Sequence, residues 1–279
     1  MNLEQKNQKL QAILTDLGKV VVAYSGGVDS AFLLKAAVDT LGAGDVLACI
    51  SAGDSEPGHQ VERAASLAKD IGVELRTVDT DELEDPNFVV NQADRCFHCK
   101  SHLCRTLLEI AEQGGYRHVV FGTNYDDLDD FRPGNRALAN FGVRSPLAEA
   151  ELTKDNIREL SRALGLPTAD IPSSPCLASR ISYGLEVTAQ RLKQVDQAEA
   201  FLRELGFVEF RVRHHDKVAR IEVPAAEIGK IAADPVRSSV VEKLKSLGFR
   251  FVALDLQGFR SGALNESLTD EQKRLSLEK

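Results

Sequence analysis

The chain has little of what membrane-spanning, secreted or nucleic-acid-binding proteins need. No apolar stretch approaches the roughly 20 residues that cross a bilayer, and the polar beginning "MNLEQKNQKLQAILTDLG" lacks the apolar core of a signal peptide. We therefore expect no membrane partner. The 34 basic and 42 acidic residues give a net charge of −8. This balance disfavours a nucleic-acid partner, because such proteins bind largely by neutralising phosphates.

Cysteine is scarce as well, with five in 279 residues. Without a signal sequence, they indicate a cytoplasmic protein with reduced thiols, in which metal binding or catalysis is expected rather than disulfides. Cys49 lies in an apolar run and Cys104 on the apolar face of a helical pattern, so both are expected in the core. Cys96, Cys99 and Cys176 remain as candidates for chemistry.

The first half of the chain alternates short apolar runs with helical patterns. Helices are predicted over 30–42, 56–72, 99–115 and 152–167, the last with Thr153 as its N-cap. Buried strands are predicted over 19–25, 45–53, 73–80 and 116–124. Continuous apolar strands separated by helices predict an α/β fold, with a Rossmann-like parallel sheet covered on both faces.

The second half predicts a smaller α+β domain. It contains a helix (188–206), a hairpin (207–224) and a further strand (249–256). The Pro- and Ser-rich segment 167–184 has no clear period and is predicted to be an ordered interdomain loop. We therefore expect one domain over residues 1–184 and a second over 185–279.

A glycine-rich turn, "SGGVDS", follows the first predicted strand and opens a helix. In this position backbone N–H groups and the helix dipole bind phosphate. Glycines let the chain approach an anion without a Cβ clash, and Asp29 could orient the turn or hold Mg²⁺ through water. No lysine follows, so the Walker pattern fails, and GxGxxG fails too; a plain strand–helix turn is the alternative. The predicted nucleotide contacts are Ser25, Gly26, Gly27, Val28, Asp29 and Ser30.

This turn resembles the PP-loop of ATP pyrophosphatases, which release pyrophosphate while adenylating a substrate. Further stretches are similar to one branch, the LarE family of ATP-dependent sulfur transferases. They are "DRCFHCKSHL" (94–103), "FGTNYDDLDDFRPG" (121–134), "VRSPLAEAELTKDNIREL" (143–160), "PCLASRISYG" (175–184) and "FRVRHHDKVARIEV" (210–223). The resemblance implies a homo-oligomer that uses ATP to convert a carboxylate of a pyridinium dicarboxylate mononucleotide into a thiocarboxylate. The product of the family is the nickel-pincer cofactor of lactate racemase.

Cys176 is the predicted sulfur nucleophile. It follows Pro175 in the predicted interdomain loop, where a thiol can face a cleft, and Arg180 could lower its pKa. A buried structural cysteine is the alternative. In sacrificial members of the family, the matching cysteine attacks the acyl-adenylate and its Cβ–S bond is then cleaved, which leaves dehydroalanine.

Cys96 and Cys99 form a C-x2-C pair, which departs from the single-cysteine pattern of the sacrificial members. With Cys176 they resemble a set that some relatives carry, associated there with a 4Fe–4S cluster whose open iron holds a transferable sulfide. Zinc is one alternative, and reduced thiols with Cys176 alone active are another.

The stretch "GTNYDDLDDFRPG" starts where the fourth predicted strand ends, and ligands bind at the carboxyl ends of parallel strands. Its acidic side chains could hold Mg²⁺ or position an arginine, with a solvated acidic loop as the alternative. These candidates are Asp126, Asp127, Asp129 and Asp130. Outside the glycine-rich turn, the predicted nucleotide contacts are Ser51, Lys100, Thr123, Asn124, Asp127 and Arg132.

The hairpin is predicted to bind the phosphate of the substrate. Arg211 and Arg213 alternate with apolar residues and should share a face. A turn around residues 215–216 would set Arg211 opposite Arg220, which is unfavourable unless an anion or acid lies between them. We therefore expect an oxyanion site formed by guanidinium groups.

Alternatives remain open for this region and for the function. The arginines could instead form a solvent face paired with Glu222 or Glu209. Glu199 resembles an active-site acid of the family, and a surface glutamate is the alternative. A tRNA thiolase, a PP-loop amide ligase such as an NAD synthetase, and a non-catalytic ATP-binding regulator are the competing functions.

Overall fold

A computed structural model describes residues 1–128, 132–172, 174–260 and 262–278. Asp129 and Asp130, two of the Mg²⁺ candidates, lie outside the described residues. Within the part of the chain that is described, none of the helices combines the length and the apolar character needed to span a bilayer.

The predicted helices and strands are present in the predicted order among the described residues, and each strand is shorter than predicted, with four residues each in three of them. The helices are α1 (Leu3–Leu17), α2 (Val28–Leu41), α3 (Gly58–Ile71), α4 (Pro86–Val89), α5 (Arg95–Gly114), α6 (Pro133–Asn140), α7 (Pro146–Glu149), α8 (Lys154–Ala163), α9 (Ala189–Glu204), α10 (Ile228–Ala232), α11 (Val236–Ser246) and α12 (Asp270–Glu278). The strands are β1 (Val20–Ala23), β2 (Val46–Ser51), β3 (Glu74–Val78), β4 (His118–Phe121), β5 (Arg211–His215), β6 (Val218–Glu222) and β7 (Phe251–Leu254).

The chain divides into two compact units, each made of two segments. The first contains Met1–Glu82 and Cys96–Ser174, and the second contains Leu83–Arg95 and the chain from Pro175 onward. This division differs from the predicted boundary after residue 184, because residues 83–95 bond to the chain around residues 178–187.

The first unit is built on a parallel sheet with the strand order β3–β2–β1–β4. The central strand β1 is buried along its whole length. Val20 and Val22 pack into one apolar cluster with helices α1, α2, α3 and α8, whereas Val21 and Ala23 pack into another with α5 and α6. The predicted α/β fold with both faces covered is therefore confirmed.

Two of the cysteines lie in this core, as predicted. Cys49 is 1% exposed and Cys104 is fully buried, and both pack in the cluster beneath α5. Burial raises the pKa of Cys49 to about 12 and that of Cys104 to about 11. Both thiols therefore stay protonated at neutral pH and serve as small apolar side chains.

Two helix starts bear on the site. Thr153 is the N-cap of α8 as predicted, and it forms a capping box with Asn156. Helix α5 begins at Arg95, one turn earlier than predicted. Cys96 and Cys99 therefore both lie within its first five residues.

The second unit contains a three-stranded sheet in the order β5–β6–β7, with β5–β6 antiparallel and β6–β7 parallel. Side chains of α9, α10 and α11 pack with the strands to form its core, which includes Leu202, Phe207, Val212, Ile221 and Leu244. The predicted α+β character of this half is confirmed.

The predicted register of the hairpin is wrong by two residues. Arg211 pairs with Glu222, and Arg213 pairs with Arg220. The turn falls after His215, and Asp216 takes a left-handed φ of 55°, which aspartate tolerates better than most residues. Moving the turn by one residue changes every cross-strand pair by two positions.

Candidate active site

The glycine-rich turn joins β1 to α2, and glycine is needed at its two positions for different reasons. Gly26 has a φ of +72°, and a Cβ there would lie 2.6 Å from the Cβ of Ala64, so the fold itself requires glycine. Gly27 has an ordinary φ of −78°, and its Cβ would meet only the Ser25 Oγ at 3.5 Å. As the N-cap of α2, Gly27 offers no side-chain oxygen to the N–H groups of the first turn. These N–H groups can therefore donate to a phosphate.

The two serines of the turn fix its shape. The buried Ser30 accepts a hydrogen bond from the Ser25 N–H at 3.2 Å and donates to the Gly27 carbonyl at 3.2 Å. The exposed Ser25 has its hydroxyl 3.1 Å from that of Ser30. Gly122, just after β4, lies so close that a Cβ would be 2.9 Å from the Ser30 nitrogen. The end of β4 therefore packs directly against the turn.

A polar network connects the turn with the chain after β4. Lys154 forms an ion pair with Asp29, and the Asn124 amide donates to Asp29 at 3.5 Å. Asn124 and Asp127 bond to each other's backbone N–H groups, at 3.2 and 3.1 Å. Arg132 forms an ion pair with Asp127 at 2.8 Å. Four residues predicted separately as nucleotide contacts thus lie in one network at the carboxyl ends of β1 and β4.

Other predicted contacts occupy the same edge in different ways. Ser51 is the last residue of β2. Thr123 is buried, and its carbonyl accepts from the Ala148 N–H at 3.1 Å. The Asp126 carboxylate accepts from the Lys154 N–H at 2.8 Å, so it caps helix α8. Burial raises the pKa of Asp127, and Arg132 opposes that rise.

Lys154 was missed by sequence reasoning. It is the first residue of α8, where the helix dipole favours acidic side chains rather than basic ones. A lysine in that position was the available signal that a carboxylate lies nearby, and the partner is Asp29.

Lys100 lies on α5 beside the C-x2-C pair. Its ammonium is 5.3 Å from the centre of the Phe121 ring, and a Cβ on Gly134 would be 2.8 Å from its side chain. Burial lowers the pKa of Lys100, and the thiols of Cys96 and Cys99 oppose that lowering. The first unit therefore brings Lys100 together with two of the three candidate cysteines.

The third predicted cluster ligand, Cys176, belongs to the second unit. Among the described residues, no group of three or more His, Cys, Asp or Glu side chains is arranged to hold a metal ion.

Cys176 immediately precedes a short 3₁₀ helix, Leu177–Arg180. Its carbonyl oxygen accepts from the Ser179 N–H at 3.0 Å and from the Ser179 hydroxyl at 2.7 Å. The residue is partly exposed, in contrast to the buried Cys49 and Cys104. This exposure is what a reactive thiol requires.

Arg180 and Glu199 form a buried ion pair in the second unit. The Arg180 Nε lies 2.9 Å from Glu199 Oε1, and Nη2 lies 3.0 Å from Oε2. The Nη1 group also donates to the carbonyls of Pro175 and Cys176, at 2.5 and 3.2 Å. Glu199 in turn accepts from the Val212 N–H at 3.0 Å. These contacts support a positioning role for both residues.

Glu222 bonds to both of the opposed arginines of the hairpin. This fully buried carboxylate accepts from Arg213 at 3.0 and 2.8 Å and from Arg220 at 3.0 Å. Arg213 also donates to the Ser179 carbonyl at 3.1 Å. The acid expected between like charges is therefore a residue of the protein, although Arg213 is buried and does not form a solvent face.

Arg211 lies on the same strand in an apolar setting. It donates to the Phe210 carbonyl at 2.5 Å, and its guanidinium is 4.9 Å from the centre of the Phe259 ring. Burial, followed by the positive charge of Arg180, lowers the pKa of Arg211 to about 10. At neutral pH it remains a buried cation.

Comparisons with known proteins agree with the motifs. The family model for NAD synthase matches residues 4–127. An uncharacterized protein of Synechocystis sp. is 42% identical over 267 residues, which cover 96% of this chain and 99% of the relative. An uncharacterized protein of Methanocaldococcus jannaschii is 31% identical over 247 residues, covering 87% and 91% of the two chains.

A characterised relative is found as well. The pyridinium-3,5-bisthiocarboxylic acid mononucleotide synthase of Lactiplantibacillus plantarum is 39% identical over 270 residues, which cover 97% of each chain. Identity at this level over nearly the whole of both proteins establishes common family membership. The chain therefore belongs to the LarE family, the family of this synthase, as the motifs predicted.

Proposed function

We propose that this protein is an ATP-dependent sulfur transferase that converts a carboxylate of a pyridinium dicarboxylate mononucleotide into a thiocarboxylate. Its product would serve the synthesis of the nickel-pincer cofactor of lactate racemase. The observation that carries this proposal is the 39% identity, over 97% of both chains, to a synthase named for a bisthiocarboxylic acid mononucleotide. The PP-loop geometry supports the ATP-dependent part.

In the first step a carboxylate oxygen of the substrate attacks the α-phosphorus of ATP, and the bond to pyrophosphate breaks. The N–H groups at the start of α2, next to Gly27, would bind phosphate oxygens. Mg²⁺, when bound, offsets the charge of the leaving pyrophosphate. Asp29 and Asp127 offer oxygen ligands for it, and Lys154 and Arg132 supply positive charge beside them.

In the second step the thiolate of Cys176 attacks the acyl carbon, AMP leaves, and a thioester forms. Loss of the Cα proton of residue 176 with cleavage of its Cβ–S bond then releases the thiocarboxylate. The sulfur of the product comes from the protein, and residue 176 becomes dehydroalanine. Arg180 and Glu199 hold the backbone around Cys176 during this sequence.

The other parts of the proposal concern the substrate and the sulfur source. Arg211 and Arg213 are proposed to contact the substrate's phosphate, while Arg213 also keeps its ion pair with Glu222. A sulfide on a 4Fe–4S cluster, the other source that the resemblance implies, is not part of the proposal, because no three of the described His, Cys, Asp or Glu side chains are arranged to hold a metal. A homo-oligomer in the cytoplasm, acting on a nucleotide rather than on nucleic acid, completes the proposal.

The test is the variant Cys176→Ala. Because adenylation precedes the step that uses the thiol, pyrophosphate release in the presence of ATP and pyridinium dicarboxylate mononucleotide should persist. Thiocarboxylate formation should be abolished. Wild-type protein should lose the mass of one H₂S per turnover, with the change located at residue 176 by peptide mass spectrometry.

Cys49→Ala is the matched control. Cys49 is buried in the core, so its substitution should leave both half-reactions intact. Full thiocarboxylate formation by Cys176→Ala would refute the assignment. The NAD synthase family model favours an amide ligase as the second candidate; that function predicts ATP-dependent amide formation from ammonia that does not depend on Cys176.

A further inference from the structure

Buried polar side chains of the second unit hold several carbonyls of the segment 175–187, here named the Cys176 loop. Arg180 bonds to the first carbonyls of this loop, and Arg213 bonds to that of Ser179. Two further anchors, Asn91 and Arg95, come from a stretch of chain more than 80 residues away in sequence. The proposed reaction gives neither of these two residues a role.

Asn91 is fully buried, and the NH₂ group of its side-chain amide bonds to this loop. Its Nδ2 group donates to the carbonyls of Ser182 and Leu185, both at 2.8 Å. Its own carbonyl accepts from the Gly184 N–H at 3.0 Å. The φ of Asn91 is +57°, a left-handed conformation that asparagine adopts more readily than most residues.

Arg95 completes the contact. It is 2% exposed, and its Nη1 group donates to the Ala178 carbonyl at 2.9 Å and to the Asn91 side-chain oxygen. Its guanidinium also lies 5.7 Å from the centre of the Tyr183 ring. A backbone bond from Val187 to Val89, at 2.9 Å, continues the same junction.

Stability alone is a weak reason for these anchors. Burying a guanidinium has a large desolvation cost, and apolar side chains of similar volume often stabilise a protein as well or better. What a buried arginine and asparagine provide is direction, because each hydrogen bond fixes one particular carbonyl. The Cys176 loop has little regular structure beyond its 3₁₀ turn, so its conformation depends on such contacts.

We propose that Asn91 and Arg95 are positioning residues for sulfur transfer, which hold the Cys176 loop in the conformation from which the thiol attacks. This inference rests on the proposed function. It assigns the two residues to the second half-reaction alone, because the glycine-rich turn and its polar network contain neither of them. Misplacing a reacting group by about 1 Å can cost on the order of a hundredfold in rate.

The experiment uses the full chain with Asn91→Gly and Arg95→Lys. Glycine keeps the left-handed conformation and removes only the side-chain bonds, and lysine keeps the charge but not the planar fork. The matched controls are Asn87→Gly, an exposed asparagine on the same segment, and Arg260→Lys, whose ion pair with Glu266 is partly exposed. Thermal midpoints identify any variant that fails to fold. If Asn91→Gly fails to fold, Arg95→Lys alone tests the proposal.

Two half-reactions and one reaction-independent property are measured. Pyrophosphate release should stay within about threefold of wild type, whereas conversion of Cys176 to dehydroalanine should slow by about tenfold to a hundredfold. Hydrogen exchange of the amides in 178–187 should become faster in both variants and stay unchanged in the controls. Equal slowing of both half-reactions in a folded variant would overturn the positioning role, and so would faster exchange with unchanged conversion.

A failure of the proposed function would look different. Wild-type protein would then form no dehydroalanine, and the alkylation rate of Cys176 by iodoacetamide would be the readout. A changed alkylation rate together with faster exchange in both variants would support control of the thiol by Asn91 and Arg95. Unchanged alkylation would overturn it.

Discussion

The guanidinium of Arg180 forms two hydrogen bonds to the carboxylate of Glu199, from Nε to Oε1 at 2.9 Å and from Nη2 to Oε2 at 3.0 Å. Both side chains are buried. The remaining Arg180 nitrogen donates to the Pro175 carbonyl, and Glu199 accepts from the Val212 N–H. One ion pair therefore connects the Cys176 loop, helix α9 and strand β5. Its removal should affect the whole unit.

Glu199→Ala should lower the free energy of unfolding by about 3–5 kcal/mol, because it leaves a buried guanidinium without its carboxylate. Urea denaturation measures the change. Glu266→Ala is the control, since its ion pair with Arg260 is partly exposed and should contribute less than about 1 kcal/mol. A loss below about 1 kcal/mol in Glu199→Ala would contradict the central role of this pair.

The two glycines of the PP-loop should separate folding from nucleotide binding. Gly26→Ala should destabilise the protein by about 1–3 kcal/mol through the close approach to Ala64. Gly27→Ala should change stability by no more than about 0.5 kcal/mol, because its Cβ has room. Titration calorimetry with ATP should nevertheless show weaker binding by Gly27→Ala, and wild-type affinity would mean that phosphate does not approach this residue.

Stability should fall as the pH is lowered from 6.5 to 4. Burial, together with Arg191, lowers the pKa of His214 from 6.5 to about 4, so in that window the unfolded chain binds a proton that the native ring does not. The free energy of unfolding should decrease by up to about 3 kcal/mol over this range and stay constant above it. Burial lowers the pKa of His215 as well, which adds loss of the same sign.

Denaturation of His214→Gln at several pH values checks this assignment. The slope between pH 4 and 6.5 should become shallower than in wild type, because one of the contributing rings is gone. An unchanged slope would mean that other groups cause the acid sensitivity.

The sulfur source can be tested with the double variant Cys96→Ser, Cys99→Ser. If Cys176 supplies the sulfur, as expected, the variant should complete one turnover and form dehydroalanine at residue 176. A cluster-bound sulfide predicts instead that this variant forms no thiocarboxylate. Iron and sulfide analysis of anaerobically purified wild-type protein, before and after chelation, gives the independent measurement.

The elements that the sequence predicted well are those with a strong local pattern. The continuous apolar runs predicted β1, β2 and β4, because a strand covered on both faces needs apolar residues at every position. The fourth predicted strand, β3, lies at the edge of the sheet and is largely exposed. Cys49 lies in one of the apolar runs and Cys104 on the apolar face of α5, so both were correctly predicted in the core. The glycine-rich turn was recognisable because strand, loop and helix follow one another directly.

What the sequence did not predict depends on contacts between distant segments. Asn91 and Arg95 lie in a polar stretch without a period, and their partners are carbonyls near residue 180, which carry no signal in the amino-acid types. The hairpin register failed because a one-residue shift of the turn placed Arg213, and not Arg211, opposite Arg220. Glu222 could be named only as one of two possible partners, since burial decides which carboxylate an arginine meets.

The bonds from Asn91, Arg95 and Arg213 that hold the Cys176 loop end on main-chain oxygens of the loop, so none of them uses the side chain of residue 176. They are therefore indifferent to the side chain at residue 176 and would survive its conversion to dehydroalanine. On the sacrificial route proposed above, a molecule that has given up its sulfur would keep these contacts of the loop. Spent copies that still bound the substrate would then compete with fresh ones, and the flux through the proposed reaction would depend on how quickly the cell degrades them.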